Sequence, residues 1–329
     1  MSEESHPHPP SGLLRPRFWG VASFMRLPLW EEGDSPPEIG IFGVPFDSGT
    51  TFRPGARFGP RALREASTLM RHYHPVLGFS PYERTEVKDC GDVPVNPLDI
   101  AVTLDHIRDF VASLQALGIT PLAAGGDHLV SLALLRGLRE RAPFALVHFD
   151  AHSDTTDQYF GGSRLAHGTP FRRAVEEGLL DPRRIVQIGI RGSLNAPDEL
   201  AWAEAQGLSL LRIEEALALG AEEVGRRVRE VVGEGPVYLS FDIDCLDPAF
   251  APGTGTPEIG GFSTREAQSL LRALRGLDFI GADLVEVAPP YDVGGITALA
   301  GASLMWEILC LLAEAVTARR TAAKEGGAE

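Results

Sequence analysis

The chain has 329 residues, 44% of them hydrophobic and 23% charged, so it is long enough to bury a large core in one domain or two. Its formal net charge of −15 argues against a nucleic-acid partner, because phosphate binding needs a basic face. Its three cysteines are far apart and form no CxxC pair, which argues against a disulfide framework and a thiolate zinc site, and the predicted location is the cytoplasm.

Residues 1–37 are rich in proline and form a predicted N-terminal arm. The polar start of this arm indicates neither a secretory signal nor a transit peptide. Its apolar stretches at 18–20 and 23–28 are expected to pack on the body of the protein or on a neighbouring subunit. No apolar run approaches the roughly 18 residues of a membrane span, so no membrane partner is predicted.

Residues 38–320 alternate between strand and helix patterns and are expected to form a single catalytic domain, followed by a flexible tail at 321–329. The predicted strands lie at about 38–44, 85–90, 119–124, 144–149, 184–190, 208–213, 236–241 and 278–286. Helical patterns lie at 60–70, 101–116, 175–180, 214–232, 264–274 and 297–318. This alternation predicts an α/β protein with a parallel sheet. It does not separate an open sheet from a closed barrel, but in both the site forms at the carboxyl ends of the strands.

Two glycine-containing segments follow the first and third predicted strands. The segment at 49–60 has neither dinucleotide-binding spacing nor the lysine of a P-loop, so nucleotide binding is rejected. Gly125, Gly126, Asp127 and His128 connect a strand to a helix. Asp127 is suited to cap that helix, while His128 is suited to bind a metal ion, and the two interpretations are compatible.

Asp150, His152 and Asp154 directly follow the apolar run at 144–149. Alternate residues of a strand share one face, so these three side chains are expected to point the same way. Burying three ionisable groups together is costly without a cation, which predicts a metal site. His148 lies two residues deeper and is predicted to be a core histidine.

Asp242 and Asp244 repeat this pattern after the run at 236–241. Two carboxylates so close repel each other unless a proton or a cation lies between them. The four aspartates and two histidines offer only oxygen and imidazole donors, which suit Mn²⁺ and leave Ni²⁺, Co²⁺ and Fe²⁺ open. Two divalent cations would neutralise the four carboxylates, so the pattern indicates a two-metal hydrolase. Cys245 is expected to face the core.

Four motifs resemble, in the same order, the metal and substrate segments of the ureohydrolases, the family of arginase and agmatinase. They are GGDH at 125–128, FDAHSDT at 149–155, SFDIDCLDPAFAPGTGTPEIGG at 240–261 and EVAPPYD at 286–292. The segments at 90–93, 160–174 and 188–192 resemble the agmatinase and guanidinobutyrase branch. The resemblance implies an α/β fold of three layers, an αβα sandwich with an open, parallel, eight-stranded sheet.

The resemblance also implies two Mn²⁺ ions per chain. One would be held by His128, Asp150, Asp154 and Asp242, and the other by His152, Asp150, Asp242 and Asp244. Such ions lower the pKa of a shared water, and the hydroxide attacks the central carbon of a guanidinium group to give urea and an amine. Glu286 matches the carboxylate that orients the guanidinium. His167 matches the imidazole that gives a proton to the departing amine, and Asp154 is suited to accept the proton of the attacking oxygen.

The other end of the substrate is less well defined by the sequence. Agmatine, cleaved to urea and putrescine, is the first expectation, and guanidinobutyrate or another guanidino acid is the alternative. Asp157 suits a cationic tail and Arg164 an anionic one, with Ser163 as a further candidate contact. The loop at 253–258 either shapes the pocket or is an ordinary turn. Free guanidine, arginine and formimidoylglutamate are further options.

The rival from another class is a non-catalytic binding protein that retains the ureohydrolase fold. Such a protein is expected to have lost metal ligands, and every matching position here carries one. The resemblance further implies a homo-oligomer, a trimer or a hexamer.

Overall fold

The computed structural model describes residues 9–31 and 33–326. Its eight strands form one sheet in the order β2-β1-β3-β8-β7-β4-β5-β6, and every neighbouring pair is parallel. The strands are β1 Ile39–Gly43, β2 Val87–Asp92, β3 Thr120–Ala124, β4 Phe144–Phe149, β5 Leu180–Ile190, β6 Ser209–Arg212, β7 Val237–Asp242 and β8 Phe279–Val285. Because β2 and β6 lie at opposite edges and do not pair with each other, the sheet is open, and the predicted fold class is confirmed.

Helices cover both faces of this sheet. They are α1 Gly59–Ser67, α2 Pro81–Arg84, α3 Ile100–Ala116, α4 Val130–Gly137, α5 Pro170–Glu176, α6 Ala201–Gln206, α7 Ile213–Val232, α8 Thr264–Arg272 and α9 Ile296–Gly326. Buried side chains of α7, α8 and α9 belong to one hydrophobic cluster, and those of α3, α4 and α5 to another. A sheet covered on both faces requires strands that are apolar on both faces, as in β4.

Two helices differ most from the sequence prediction in their boundaries. The helix predicted at 175–180 is α5, which runs from Pro170 to Glu176, because proline is favoured in the first turn and Gly178 takes a left-handed φ of 69° beyond its end. Leu180 is instead the first residue of β5. The last helix continues through most of the predicted tail as far as Gly326, and residues 327–329 lie outside the described range.

Helix α9 is long and apolar enough to cross a membrane, with a mean hydropathy of 1.8 in its most apolar window. However, 78% of that window is buried inside the protein. Leu304, Ile308 and Leu312 are among the α9 side chains packed in the hydrophobic core. The apolar character of α9 is therefore explained by its place in this fold.

The N-terminal arm contacts the body at several points between residues 24 and 35, including a parallel bridge of Leu29 to Asp89 and a hydrogen bond from Lys88 to the Ser35 carbonyl. Phe24 and Met25 are buried, and their backbone N–H groups donate to the Asp89 carboxylate and the Ser67 hydroxyl at 2.8 and 2.7 Å. Further towards the amino terminus the arm presents apolar side chains to solvent, including Phe18 at 91% exposure. Residues 1–8 of the predicted arm lie outside the described range.

Candidate metal centre and active site

The sheet order brings the predicted metal-binding segments to one place. Strands β3, β8, β7 and β4 are consecutive neighbours, and their carboxyl ends lie at the same edge of the sheet. The turn with His128 follows β3, and Asp150 directly follows β4. Asp242 ends β7, and Glu286 directly follows β8. Residues from four separate strands therefore meet at this edge.

The six predicted metal ligands form a compact cluster. His128 Nδ1 lies 3.2, 3.0 and 3.1 Å from carboxylate oxygens of Asp150, Asp154 and Asp242. His152 Nδ1 lies 3.4 Å from Asp150 and 3.1 Å from Asp244. Donor atoms of Asp150, His152 and Asp244 all lie within 4.8 Å of one another, close enough to share a metal ion.

The tautomer of His128 follows from its neighbours on the opposite side of the ring. Ser240 donates its hydroxyl hydrogen to Asp283 at 2.6 Å, so this hydroxyl accepts from His128 Nε2–H, 2.8 Å away. In the neutral ring, Nδ1 then carries a bare lone pair. It is buried, has no hydrogen-bond partner among the described residues, and faces three carboxylate oxygens. Lone pairs so arranged repel one another unless a cation lies between them, so these donors fit a divalent metal ion.

A row of buried polar side chains supports this cluster from within the sheet, two residues before Asp150 and Asp242 on their strands. Gln187, His148, Ser240 and Asp283 pair directly across β5, β4, β7 and β8. Gln187 donates to His148 Nδ1 at 2.9 Å, which leaves Nε2–H to donate to Asp150 at 2.8 Å. His148 is buried, as predicted, and it orients Asp150.

The electrostatics of the cluster favour added positive charge. Burial lowers the pKa of His128, but the carboxylates of Asp150, Asp154 and Asp242 outweigh burial and raise it well above its usual value. Burial and the charges of Asp244 and Asp150 raise the pKa of Asp242 well above the usual range. Without a metal, the cluster therefore takes up protons in its place.

Glu286 lies beside the cluster with one carboxylate oxygen engaged and one free. Oε1 accepts hydrogen bonds from the His128 backbone N–H and from His167 Nδ1, each at 2.9 Å. Oε2 is buried and has no partner in the described part of the chain. Burial lowers the pKa of His167, but the carboxylate of Glu286 outweighs it and raises the pKa to about 9.

Two of these residues adopt a backbone conformation that is unusual outside glycine. Asp154 has a φ of 52° and Glu286 a φ of 63°. The Glu286 N–H donates to Gly126 O at 2.9 Å, and the Phe171 N–H donates to Asp154 O at 3.2 Å. Strained backbone held by its surroundings is concentrated at functional sites.

The turn before His128 is tightly packed against the β1–α1 loop. A Cβ atom on Gly126 would lie 1.6 Å from the carbonyl oxygen of Phe46, so only glycine fits there. The Asp127 N–H donates to the same oxygen at 2.8 Å, and the Asp127 side chain accepts from the Gly49 and Leu129 N–H groups. Helix α4 has Leu129 at its N-cap and no capping side chain, so the predicted helix-capping role of Asp127 is wrong, and its carboxylate instead links the turn to the β1–α1 loop.

A cavity of about 110 Å³ opens from the cluster, with His152, Asp154, Asp242 and His167 in its wall. The predicted tail contacts Asp157, Ser163 and Arg164 do not line this cavity. Asp157 instead accepts from Arg173 at 2.8 Å, and Arg164 donates to Glu176 at 2.8 Å. The outer wall comes partly from a later segment, with Arg191, Ser193, Leu194, Glu199 and Leu200.

Several contributors to the site were not predicted from the sequence. Ser240 and Asp283 orient His128, Gln187 orients His148, and Thr51 contacts His167 Nε2. Ser240 had a local signal, because it precedes Asp242 by two residues and so shares its strand face. Asp283, Gln187 and Thr51 are distant in sequence from the side chains they contact, and no local pattern indicated their role.

Comparison with known proteins gives a consistent result. The family model described as the arginase family matches residues 37–311. Guanidinopropionase of Pseudomonas aeruginosa is 55% identical over 94% of this chain and 97% of its own length. A mitochondrial agmatinase of Gallus gallus is 46% identical over 92% of this chain and 89% of its own length. The solved proclavaminate amidino hydrolase from Streptomyces clavuligerus superposes with a TM-score of 0.87 at 41% identity, covering 92% of this chain and all of that one.

The match spans nearly the whole described body, and it includes the strand ends that carry the cluster. The relatives at 55% and 46% identity, a guanidinopropionase and an agmatinase, are both named as amidinohydrolases. The chain therefore belongs to the arginase family, the ureohydrolases, and is a hydrolase acting on linear amidines.

Proposed function

We propose that this hydrolase cleaves a short guanidino acid, a guanidinium group on a tail that ends in a carboxylate, to urea and an amino acid. The observation that supports the guanidinium end is Glu286 Oε2, a buried acceptor without a partner in the described residues, beside the metal-binding cluster. A guanidinium offers N–H donors and remains charged at neutral pH, so it complements this oxygen. The acid tail is favoured by the higher identity to guanidinopropionase than to agmatinase.

We propose that the cluster holds two Mn²⁺ ions, which suit its oxygen and imidazole donors. The residues that would hold one ion are His128, Asp150, Asp154 and Asp242, and those that would hold the other are His152, Asp150, Asp242 and Asp244. When bound, such ions supply Lewis-acid activation of water. The bare Nδ1 of His128 is the donor whose surroundings most favour this assignment.

The protein side chains then carry the protons of the reaction. The water oxygen bonds to the central carbon and gives up a proton, for which the Asp154 carboxylate in the cavity wall is the acceptor. The bond from this carbon to the tail nitrogen breaks, and its electron pair stays on that nitrogen. The proton left on the former water oxygen is released to solvent as the carbon–oxygen double bond of urea forms. With its pKa raised to about 9, His167 holds a proton at neutral pH and donates it to the departing amine.

The polar groups of the outer cavity are suited to a carboxylate tail. Thr155, Thr156, Tyr159 and Ser193 line it with hydroxyl groups, each of which can donate to a carboxylate oxygen. A feature that favours an amine tail is Glu199, whose carboxylate also lines the cavity and accepts from the Asn195 side chain at 3.0 Å. Agmatine is therefore the second candidate.

A substrate panel tests this proposal. Mn²⁺-loaded protein is assayed for urea release from guanidinopropionate, guanidinobutyrate, agmatine and arginine. The expected result is the highest kcat/KM on one of the two guanidino acids. Turnover of agmatine without turnover of either acid would refute the carboxylate tail, and no urea from any of the four would refute the function as a whole.

A further inference from the structure

The glycine-rich segment at 49–60 reaches the active site through Thr51. The Thr51 hydroxyl lies 2.7 Å from His167 Nε2, and the Thr51 backbone N–H donates to the same nitrogen at 3.2 Å. The His167 backbone N–H in turn donates to Gly49 O at 2.9 Å. This segment therefore contacts both the ring and the backbone of the proposed proton carrier, and Thr51 shares the cavity wall with it.

Buried carboxylates hold this segment in place. Asp47 accepts from the Gly55 N–H at 2.7 Å and pairs with the Arg57 side chain. Asp127 accepts from the Gly49 N–H at 2.6 Å. Thr51 is thus fixed between two anchored points of the loop, and its position depends little on its own side chain.

The two groups of Thr51 have different bonding capacities. A backbone N–H only donates, so it needs a lone pair on His167 Nε2, and the ring proton then lies on Nδ1, which donates to Glu286. When the ring takes a second proton, Nε2–H faces this backbone N–H. The Thr51 hydroxyl is able to donate to the neutral ring and to accept from the protonated ring.

We propose that Thr51 is a positioning residue for His167, whose hydroxyl stays hydrogen-bonded to Nε2 in both protonation states and holds the ring in place during turnover. This inference rests on the proposed function, in which His167 carries the proton. The other charged groups that face the ring are the carboxylates of Glu286, Asp154 and Asp127, each of which favours its protonated form. None of these accepts a hydrogen bond from Nε2.

Three variants test the inference. Thr51→Val removes the hydroxyl and keeps the side-chain shape, and Thr51→Ser restores the hydroxyl. Thr50→Val is the matched control, because the Thr50 hydroxyl is buried and has no partner in the described residues. Metal content and thermal unfolding establish that each variant is folded and loaded.

The expected result is a roughly tenfold lower kcat for Thr51→Val with KM changed less than about twofold, since the lost bond acts on the protonated ring. The protonated ring loses its acceptor at Nε2, so the alkaline limb of the kcat profile moves to lower pH. Thr51→Ser and Thr50→Val should both remain close to wild type. The inference would be overturned if Thr51→Val had the kcat of the wild type, if Thr50→Val lost as much kcat as Thr51→Val, or if Thr51→Ser did not recover the wild-type kcat.

A measurement without turnover separates this inference from the proposed function. If the wild type releases no urea from any guanidino compound, the proposed function fails. The ¹⁵N resonances of histidine-labelled, metal-free protein, with His167 assigned from a His167→Asn variant, then decide the inference alone. It is supported if the His167 titration moves to lower pH in Thr51→Val but not in Thr50→Val, and it is overturned if the two variants titrate alike.

Discussion

Ser240→Ala is predicted to weaken metal binding although Ser240 is not one of the six predicted ligands. Its hydroxyl accepts the Nε2–H of His128 at 2.8 Å and donates to Asp283 at 2.6 Å. Without it, Nε2–H is buried without an acceptor, which favours moving the proton to Nδ1. A proton on Nδ1 occupies the lone pair that the metal needs.

The size of the effect follows from how firmly the ring is otherwise held. Removing a partner that orients a ligand typically costs about 10–100-fold in metal affinity, or about 1.4–2.7 kcal/mol. The His128 ring also packs edge-on against Phe171 and His148, with ring centroids 5.1 and 5.0 Å away. Because this packing limits rotation of the ring, we expect a loss near the lower end, about tenfold.

Calorimetric titration of metal-free protein with Mn²⁺ measures this affinity. Tyr238→Phe is the matched control, because the Tyr238 hydroxyl donates to the other oxygen of Asp283 at 2.9 Å and forms no hydrogen bond to His128. Wild-type affinity in Ser240→Ala would refute the reasoning. An equal loss in Tyr238→Phe would also refute it, since it would assign the effect to Asp283 in general.

Three further predictions concern the cluster and its neighbours. Asp242→Ala should lose both metal and turnover, because Asp242 is shared by the two proposed ion sites; two ions per chain by elemental analysis would contradict this. Glu286→Gln should keep the metal, since Oε1 still accepts from the His128 N–H. It should lower kcat/KM about 10–100-fold, because the guanidinium loses its charged partner. Loss of metal in this variant would contradict the role proposed for Glu286. Because the pKa of His128 is raised above 6.5, protons should compete with the metal already above that pH. The metal content that remains after dialysis should therefore fall as the pH is lowered towards about 5. Constant metal content across this range would contradict the assigned ligands.

The strands and the candidate metal ligands at their ends were predictable because burial on both sheet faces leaves a strong local pattern. Residues 144–149 are apolar except for His148, and β4 has these bounds. The alternation of Asp150, His152 and Asp154 beyond it requires no knowledge of neighbouring strands. Parallel strands place their carboxyl ends together, so separate runs of this kind predict one shared site.

The supporting polar row was not predictable in the same way. His148, Ser240 and Asp283 lie side by side only because β4, β7 and β8 are neighbours in matching register. Strand order and register are set by long-range packing, and no local pattern encodes them. Ser240 shares a strand face with Asp242, but Asp283 taken singly resembles an ordinary polar residue in a buried strand.

The direction of side chains in loops was also not predictable from the sequence, as the residues proposed to contact the substrate tail illustrate. Asp157 and Arg164 have suitable charges and follow the metal segment, but Arg173 and Glu176 of α5 satisfy those charges away from the cavity. The cavity wall uses Ser193 and Glu199 from the segment after β5 instead. The composition of the loop therefore predicted that polar and charged side chains lie near the site, but not which of them line the cavity.

Crystallographic location of bound metal tests the central claim most directly. A crystal of Mn²⁺-loaded protein, measured at the manganese absorption edge, should contain two anomalous peaks per chain, one contacting His128 Nδ1 and the other His152 Nδ1, with Asp150 and Asp242 between them. No peak within this cluster at saturating Mn²⁺, or ions bound only elsewhere on the chain, would contradict the account.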